Sequence, residues 1–142
     1  MRTLDSVFGI AGTALNAQTV RLNTTASNLA NATTVAKSEG EAFRAKRTVF
    51  KALVKEEMTN AGFQYQGGVK VDQVVDDPTP IRSLYDPGNP SADANGFVFL
   101  SNVNEMQEMI EMMAASRSYQ NNVEVVNTAK QLMMRTLDIT KS

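Results

Sequence analysis

At 142 residues the chain is long enough for one domain with a modest core and too short to make two ordinary ones the starting point. Lysines and arginines number 14 against 15 acids, so the net charge of -1 offers no broad field for nucleic acid or an anionic membrane. The chain has no cysteine and no histidine, which excludes thiol nucleophiles, disulfides, the usual zinc sites and histidine-based acid–base chemistry.

The first stretch, "MRTLDSVFGIAGTALNA", has the outline of a signal peptide. Asp5 and the glycine interruptions argue against cleavage, and a helical pattern runs past the supposed cleavage point. Leu4, Phe8, Ala11, Leu15, Gln18, Leu22, Thr25 and Leu29 recur at alternating steps of four and three, a heptad seam interrupted by Gln18 and Thr25. The spacing predicts a helix from about Thr3 to Asn31, roughly 40 Å long at 1.5 Å per residue. Between Ser6 and Ala36 the single charge is Arg21, although about a quarter of residues in an average soluble domain are charged. Small neutral residues let helices approach closely and hydrogen-bond sideways at modest desolvation cost. One other long helix cannot cover such a rod, so the surface is read as covered by neighbouring copies. The seam is also poor in apolar area, and the terminal segments are expected to fray in the monomer and order on assembly.

The middle, residues 37–101, reads as short strands and turns: "RTVFKALV", then "FQYQGGVKVDQVV" with a hairpin signal at Gly67-Gly68, then "GFVFL". The first run also fits a helix through Phe43, Phe50 and Leu53. All four prolines lie between Pro78 and Pro90, and "DDPTPIRSLYDPGNPSADANG" reads as an irregular crossover.

In the last segment Met109, Met112, Met113, Ser116, Tyr119, Val123, Val126, Met133 and Leu137 follow a helical period, with Asn102 or Asn104 placed to cap the start. Glu105, Glu108 and Glu111 load the first turns and Lys130, Arg135 and Lys141 the end, as the helix dipole favours. A helix from about Asn104 to Asp138 would run roughly 52 Å against a radius of gyration of about 14 to 15 Å for a compact chain of this length, which predicts an elongated molecule.

The fold class expected is mainly α with a small β-rich insert: long N- and C-terminal helices pairing as an elongated coiled coil, and a middle segment of short strands and turns. The division is 1–36, 37–101 and 102–142 within one structural unit.

Candidate chemical sites have plainer readings. Six of the eight methionines lie between Met106 and Met134, where helical spacing favours packing over a binding groove. Arg44, Lys46, Arg47, Lys51 and Lys55 stand against Asp72, Asp76 and Asp77 and read as a solvated or intersubunit charge face. Asp86, Asp93 and Asn95 lack the spacing and closing glutamate of a calcium loop and read as turn chemistry. Asp76 and Asp77 point to opposite faces if on a strand, which gives a carboxylate hydrolase little support. No catalytic residue, cofactor or metal is expected. A free-standing coiled-coil adaptor remains the alternative to a polymer subunit.

"ASNLANATT", residues 26–34, closely resembles the N-terminal signature of bacterial flagellar rod and hook axial proteins, and residues 102–137 resemble the C-terminal helix of that family. The small size, "FRAKRTVF" at 43–50 and "YDPGNPSADANGFVFLSNVN" at 85–104 resemble its short proximal-rod members. The resemblance implies a structural subunit whose terminal helices pack in the core of a helical tube with itself and related rod proteins, forming a periplasmic drive shaft that transmits torque. It also implies export through the flagellar type III apparatus without signal cleavage, no nucleic-acid partner and no membrane insertion. "FKALV", residues 50–54, resembles the Phe-x-x-x-hydrophobic element of early export substrates. By the same resemblance Asn28, Leu29 and Asn31, with Ser116, Arg117, Tyr119, Asn122, Val123 and Asn127, are expected at helix–helix contacts within or between subunits. Leu15 and Leu22 of the seam are expected there as well.

Overall fold

The computed structural model describes residues 2–59 and 62–141. Helix α1 spans Arg2–Ala30 and helix α2 Glu105–Lys141, with strands β1 (Val35–Ala36), β2 (Lys46–Thr59), β3 (Gly62–Asp76), β4 (Ser83–Tyr85) and β5 (Phe97–Leu100) between them. The helices end where local chemistry ends them. After α1, Asn31 folds its side-chain amide back to the Ser27 carbonyl at 2.8 Å, while its own carbonyl accepts from the Thr34 hydroxyl at 2.7 Å. At the start of α2, Asn104 rather than Asn102 is the cap, its side-chain oxygen accepting from the Gln107 NH at 3.1 Å.

"RTVFKALV" is strand, the inner part of β2, which pairs with β3; with two residues between them the pair can only be antiparallel. Two expectations are corrected here. Gly67-Gly68 is not the hairpin turn but lies inside β3. A Cβ at Gly68 would stand 3.1 Å from the Thr13 hydroxyl oxygen, so the glycine marks a close approach of strand to helix. The Pro/Asp-rich crossover is also not wholly irregular, since Ser83–Tyr85 forms β4.

The chain gathers into two compact units, Met1–Val20 with Val49–Gln73 and Ala114–Ser142, and Arg21–Thr48 with Val74–Met113. In the first, the Thr13 hydroxyl donates to the Ile10 carbonyl at 2.7 Å and accepts from the Val69 NH at 3.1 Å, seating β3 on α1. Among the described residues Ala11, Ala17, Ala115 and Ala129 are buried in it, and the side-chain oxygen of Gln18 is buried without a hydrogen-bond partner there. Such an orphaned acceptor costs about 1–3 kcal/mol. Alanines permit close packing but contribute little apolar area.

The second unit holds a three-stranded sheet in the order β1-β5-β4, antiparallel at both pairings, with Val35 opposite Leu100 and Leu84 opposite Val98. Val98 is buried, and the Tyr85 and Phe97 rings meet edge-on with centroids 5.2 Å apart. Gly96 has φ 84°, and a Cβ there would meet the Tyr85 ring at 2.9 Å, so only glycine fits between β5 and that ring. Asp93 behaves as turn chemistry requires, accepting from the Asn95 and Phe97 NH groups at 2.8 and 2.9 Å. No helix among the described residues is long and apolar enough to cross a membrane.

Candidate assembly interface

The most constrained part of the second unit is a buried polar junction. Asn28, in the last turn of α1, is 0% exposed. Its side-chain oxygen accepts from the Lys46 NH at 2.8 Å, and its amide donates to the Lys46 carbonyl at 2.9 Å and to Glu108 at 3.0 Å. Asn28 thus pairs with the backbone of β2 as another strand would. Glu108, on α2, is also 0% exposed and accepts from Arg47, whose Nε donates to Asp77 at 3.0 Å.

Asp77 accepts further from the Thr79 NH at 2.9 Å and the Thr79 hydroxyl at 2.5 Å. Asn102 closes the junction, accepting from the Ala45 NH at 2.6 Å and donating to the Asp77 and Thr79 carbonyls at 3.1 and 2.8 Å. A buried carboxylate is tolerated only when paired and fully hydrogen-bonded, and Glu108 meets that condition through Arg47 and Asn28.

Burial works against the Arg47 charge, but Glu108 and Asp77 more than offset it and raise its pKa above the usual value. The Thr79 hydroxyl and NH, with Arg47 adding to them, hold the Asp77 carboxylate below its ordinary range. Arg21 pairs with Glu111 at 2.5 Å, a second link between α1 and α2. The junction presents no unengaged nucleophile; it ties α1, α2, β2 and the crossover together.

This overturns the reading of the basic cluster as a solvated or intersubunit face at Arg47, which is tied to the buried Glu108, whereas Lys46 pairs with an exposed acid as a solvated face does. Lys46 pairs with Asp76 and Arg47 with Asp77 across the β2–β3 ribbon, inside the chain. The side chain of Lys55 lies outside the described residues. Glu108 was legible only as a dipole-favoured acid, and neither it nor Arg47 carried a sequence signal of burial. Arg21 did carry one: a lone charge in a neutral helix needs a partner.

The remaining sequence-predicted residues divide by exposure. Leu15, Leu22 and Leu29 on α1, Asn31 just after it, and Ser116, Asn122 and Val123 on α2 are half-buried, whereas Arg117, Tyr119 and Asn127 are exposed. Asn31 serves as the helix-end cap described above, and Asn28 spends all its hydrogen bonds within the chain.

A larger apolar surface stands uncovered. On α2, Met106, Met109, Ile110 and Met113 are 69, 55, 60 and 69% exposed. Their spacing of i, i+3, i+4 and i+7 makes them one row on the helix. Farther along, Leu132, Met134, Leu137 and Ile139 are exposed as well, and every residue from 134 to 141 is open to solvent. The methionines expected as packing therefore split. Met112 and Met133 are half-buried, while Met106, Met109, Met113 and Met134 face outward. Single exposed hydrophobics need no explanation, but a continuous row marks a contact surface.

The chain is similar to known proteins along nearly its whole length. Residues 8–35 match the family described as flagella basal body rod protein, and residues 94–139 match the one described as flagellar basal body rod FlgEFG protein C-terminal. The chain is 48% identical over 137 residues to the flagellar basal-body rod protein FlgC of Yersinia enterocolitica, covering 96% of this chain and 98% of that one. It is 48% identical over 134 residues to FlgC of Salmonella typhimurium, covering 94% and 96%. It is 42% identical over 141 residues to FlgC of Buchnera aphidicola from Acyrthosiphon pisum, covering 98% and 99%.

Proposed function

We infer from one premise: the chain belongs to the FlgC family of flagellar basal-body rod proteins and is a structural subunit of the rod. It polymerises helically with itself and related rod proteins, and its terminal helices pair as a coiled coil in the core of the resulting drive shaft. Residues 1–36 and 102–142 supply that core and residues 37–101 the contacts around it.

The observation that carries the assembly is the exposed apolar row of α2 formed by Met106, Met109, Ile110 and Met113, on a chain whose buried apolar residues, among those described, are mostly alanine. Removing about 25 cal/mol per Å² of apolar area from water at many modest interfaces holds such a polymer together, and interlocked helices give it the axial continuity that torque requires. Leu15, Leu22, Leu29, Ser116, Arg117, Tyr119, Asn122, Val123 and Asn127 lie at or beside those interfaces.

The subunit reaches the periplasm through the flagellar type III apparatus without loss of a signal peptide. Phe50 and Val54, the two apolar positions of the export-type element, are exposed on β2, which supports that route. Catalysis has no part in this reading: Asp76 and Asp77 are engaged by Lys46 and Arg47 rather than by a shared proton.

Replacing Leu29 with Asp at the chromosomal locus tests the reading, because the new charge would enter a packed surface unpaired. Basal bodies lacking a complete rod, and loss of swimming, are expected while the subunit is still made. Normal swimming would overturn the proposal.

A further inference from the structure

A rod subunit must carry two different surfaces that match one another, because a heterologous contact propagates whereas an isologous one closes on itself as a dimer. Two such surfaces lie at opposite ends of α2. At its start, a groove of about 650 Å³ is lined by Pro80, Arg82, Val103, Glu105, Met106 and Met109 among others. Ile110 and Met113 continue its apolar side along the helix. The Glu105 carboxylate and the Arg82 guanidinium make no ion pair or side-chain hydrogen bond among the described residues, so both are available to an occupant.

At the other end of α2, Met134 and Leu137, three residues apart on one side of the helix, are 56 and 36% exposed, and Ile139 is 75% exposed. Lys130, Arg135 and Lys141 flank them, with Asp138 as the one acid there.

We propose that the groove beside Met106 and Met109 receives the last two turns of the C-terminal helix of an adjoining rod subunit, an apolar helix end flanked by cations. The inference rests on the rod-subunit reading above. Apolar side chains of the incoming turns fill the groove against the methionines, whose unbranched thioethers adapt to non-identical neighbours. A lysine or arginine of the incoming helix meets Glu105. Arg82 takes main-chain carbonyls of its last turn, which have no partner within the helix. This is helix-in-groove recognition, with the helix-end dipole as an added contact. The match of the C-terminal segment to a family description that spans several rod proteins means that a neighbour need not be an identical copy to present this chemistry.

The test uses assembled rods. A photoreactive benzoylphenylalanine replaces Met109 in cells that swim, the cells are irradiated, and cross-linked peptides from purified basal bodies are identified by mass spectrometry. The expected product joins residue 109 to the C-terminal helix end of a rod subunit, at this chain's 130–141 or the corresponding turns of a relative. Glu105→Lys in the same strain should lower its yield about twofold to fivefold, the range of one exposed ion pair. Cross-links to an N-terminal helix or a middle segment, or none, in cells that still swim would overturn this docking while leaving the rod-subunit reading intact. If the probe at Met109 blocks rod growth, the same probe at Met106 decides by the same products.

Discussion

The two ends of α2 treat polar and apolar groups in opposite ways. In its first turn the helix buries a carboxylate, Glu108, and surrounds it with Arg47 and Asn28 of the same chain. In its last turns it exposes Met134, Leu137 and Ile139. Burying an acid costs several kcal/mol unless its partners are permanent, so the junction has to be completed within one chain. Exposing apolar residues is tolerable until a neighbour arrives, and their burial then supplies the free energy of assembly. The charge that has to be buried is thus paired inside the subunit, and on the reading proposed above the exposed apolar area is left for the polymer to cover.

Arg47→Met should break this contrast most severely, by leaving Glu108 buried without its cation. A loss of about 3–5 kcal/mol in urea unfolding of the purified chain is expected. Adding Glu108→Gln should recover part of that loss, and a double mutant no better than the single would mean that the ion pair is not what holds the junction.

A smaller effect concerns pH. The folded state depresses the Asp77 pKa, so its contribution is present above the unfolded value of about 4 and disappears as pH falls through the folded value. Urea midpoints of the parent chain and Asp77→Asn, measured from neutral to strongly acid pH, should therefore converge in acid. A gap that persists unchanged at the acid end would remove Asp77 from the account.

The smallest effect on stability sharpens the contrast from the other end. Met134→Ser should change unfolding by no more than about 0.5 kcal/mol, as an exposed substitution does. Swimming should nevertheless weaken, because the side chain acts only in the assembled rod. A large stability loss in the isolated chain would show that the helix end is already covered there.

Much of the fold was legible from residue spacing. The heptad steps from Leu4 to Leu29 and the helical period after Asn104 located both helices to within a few residues, because local periodicity and capping set such elements. The strand character of "RTVFKALV" was less plain, since Phe43, Phe50 and Leu53 fit either period and only pairing with β3 settles it. Gly67-Gly68 misled for a tertiary reason: Gly68 answers to Thr13 of α1, far away in sequence, and not to a local turn. The exposed side of α2 was also misread in part. Met109, Met113, Tyr119 and Leu137 share the helical period but face solvent, while Ala115 and Ala129 take the buried positions.

By itself the sequence determined the helices, their neutral and apolar faces and the exclusion of cysteine and histidine chemistry, since these depend on residues close together or on composition alone. Only the tertiary structure decided that Asn28 and Glu108 are wholly buried partners, 80 residues apart, and that Lys46 and Arg47 are matched by Asp76 and Asp77. Which carboxylate is buried and which remains in water depends on contacts between distant segments. Local pattern carries no record of those contacts: Glu105, Glu108 and Glu111 look alike along the chain and differ only in what the fold brings to them.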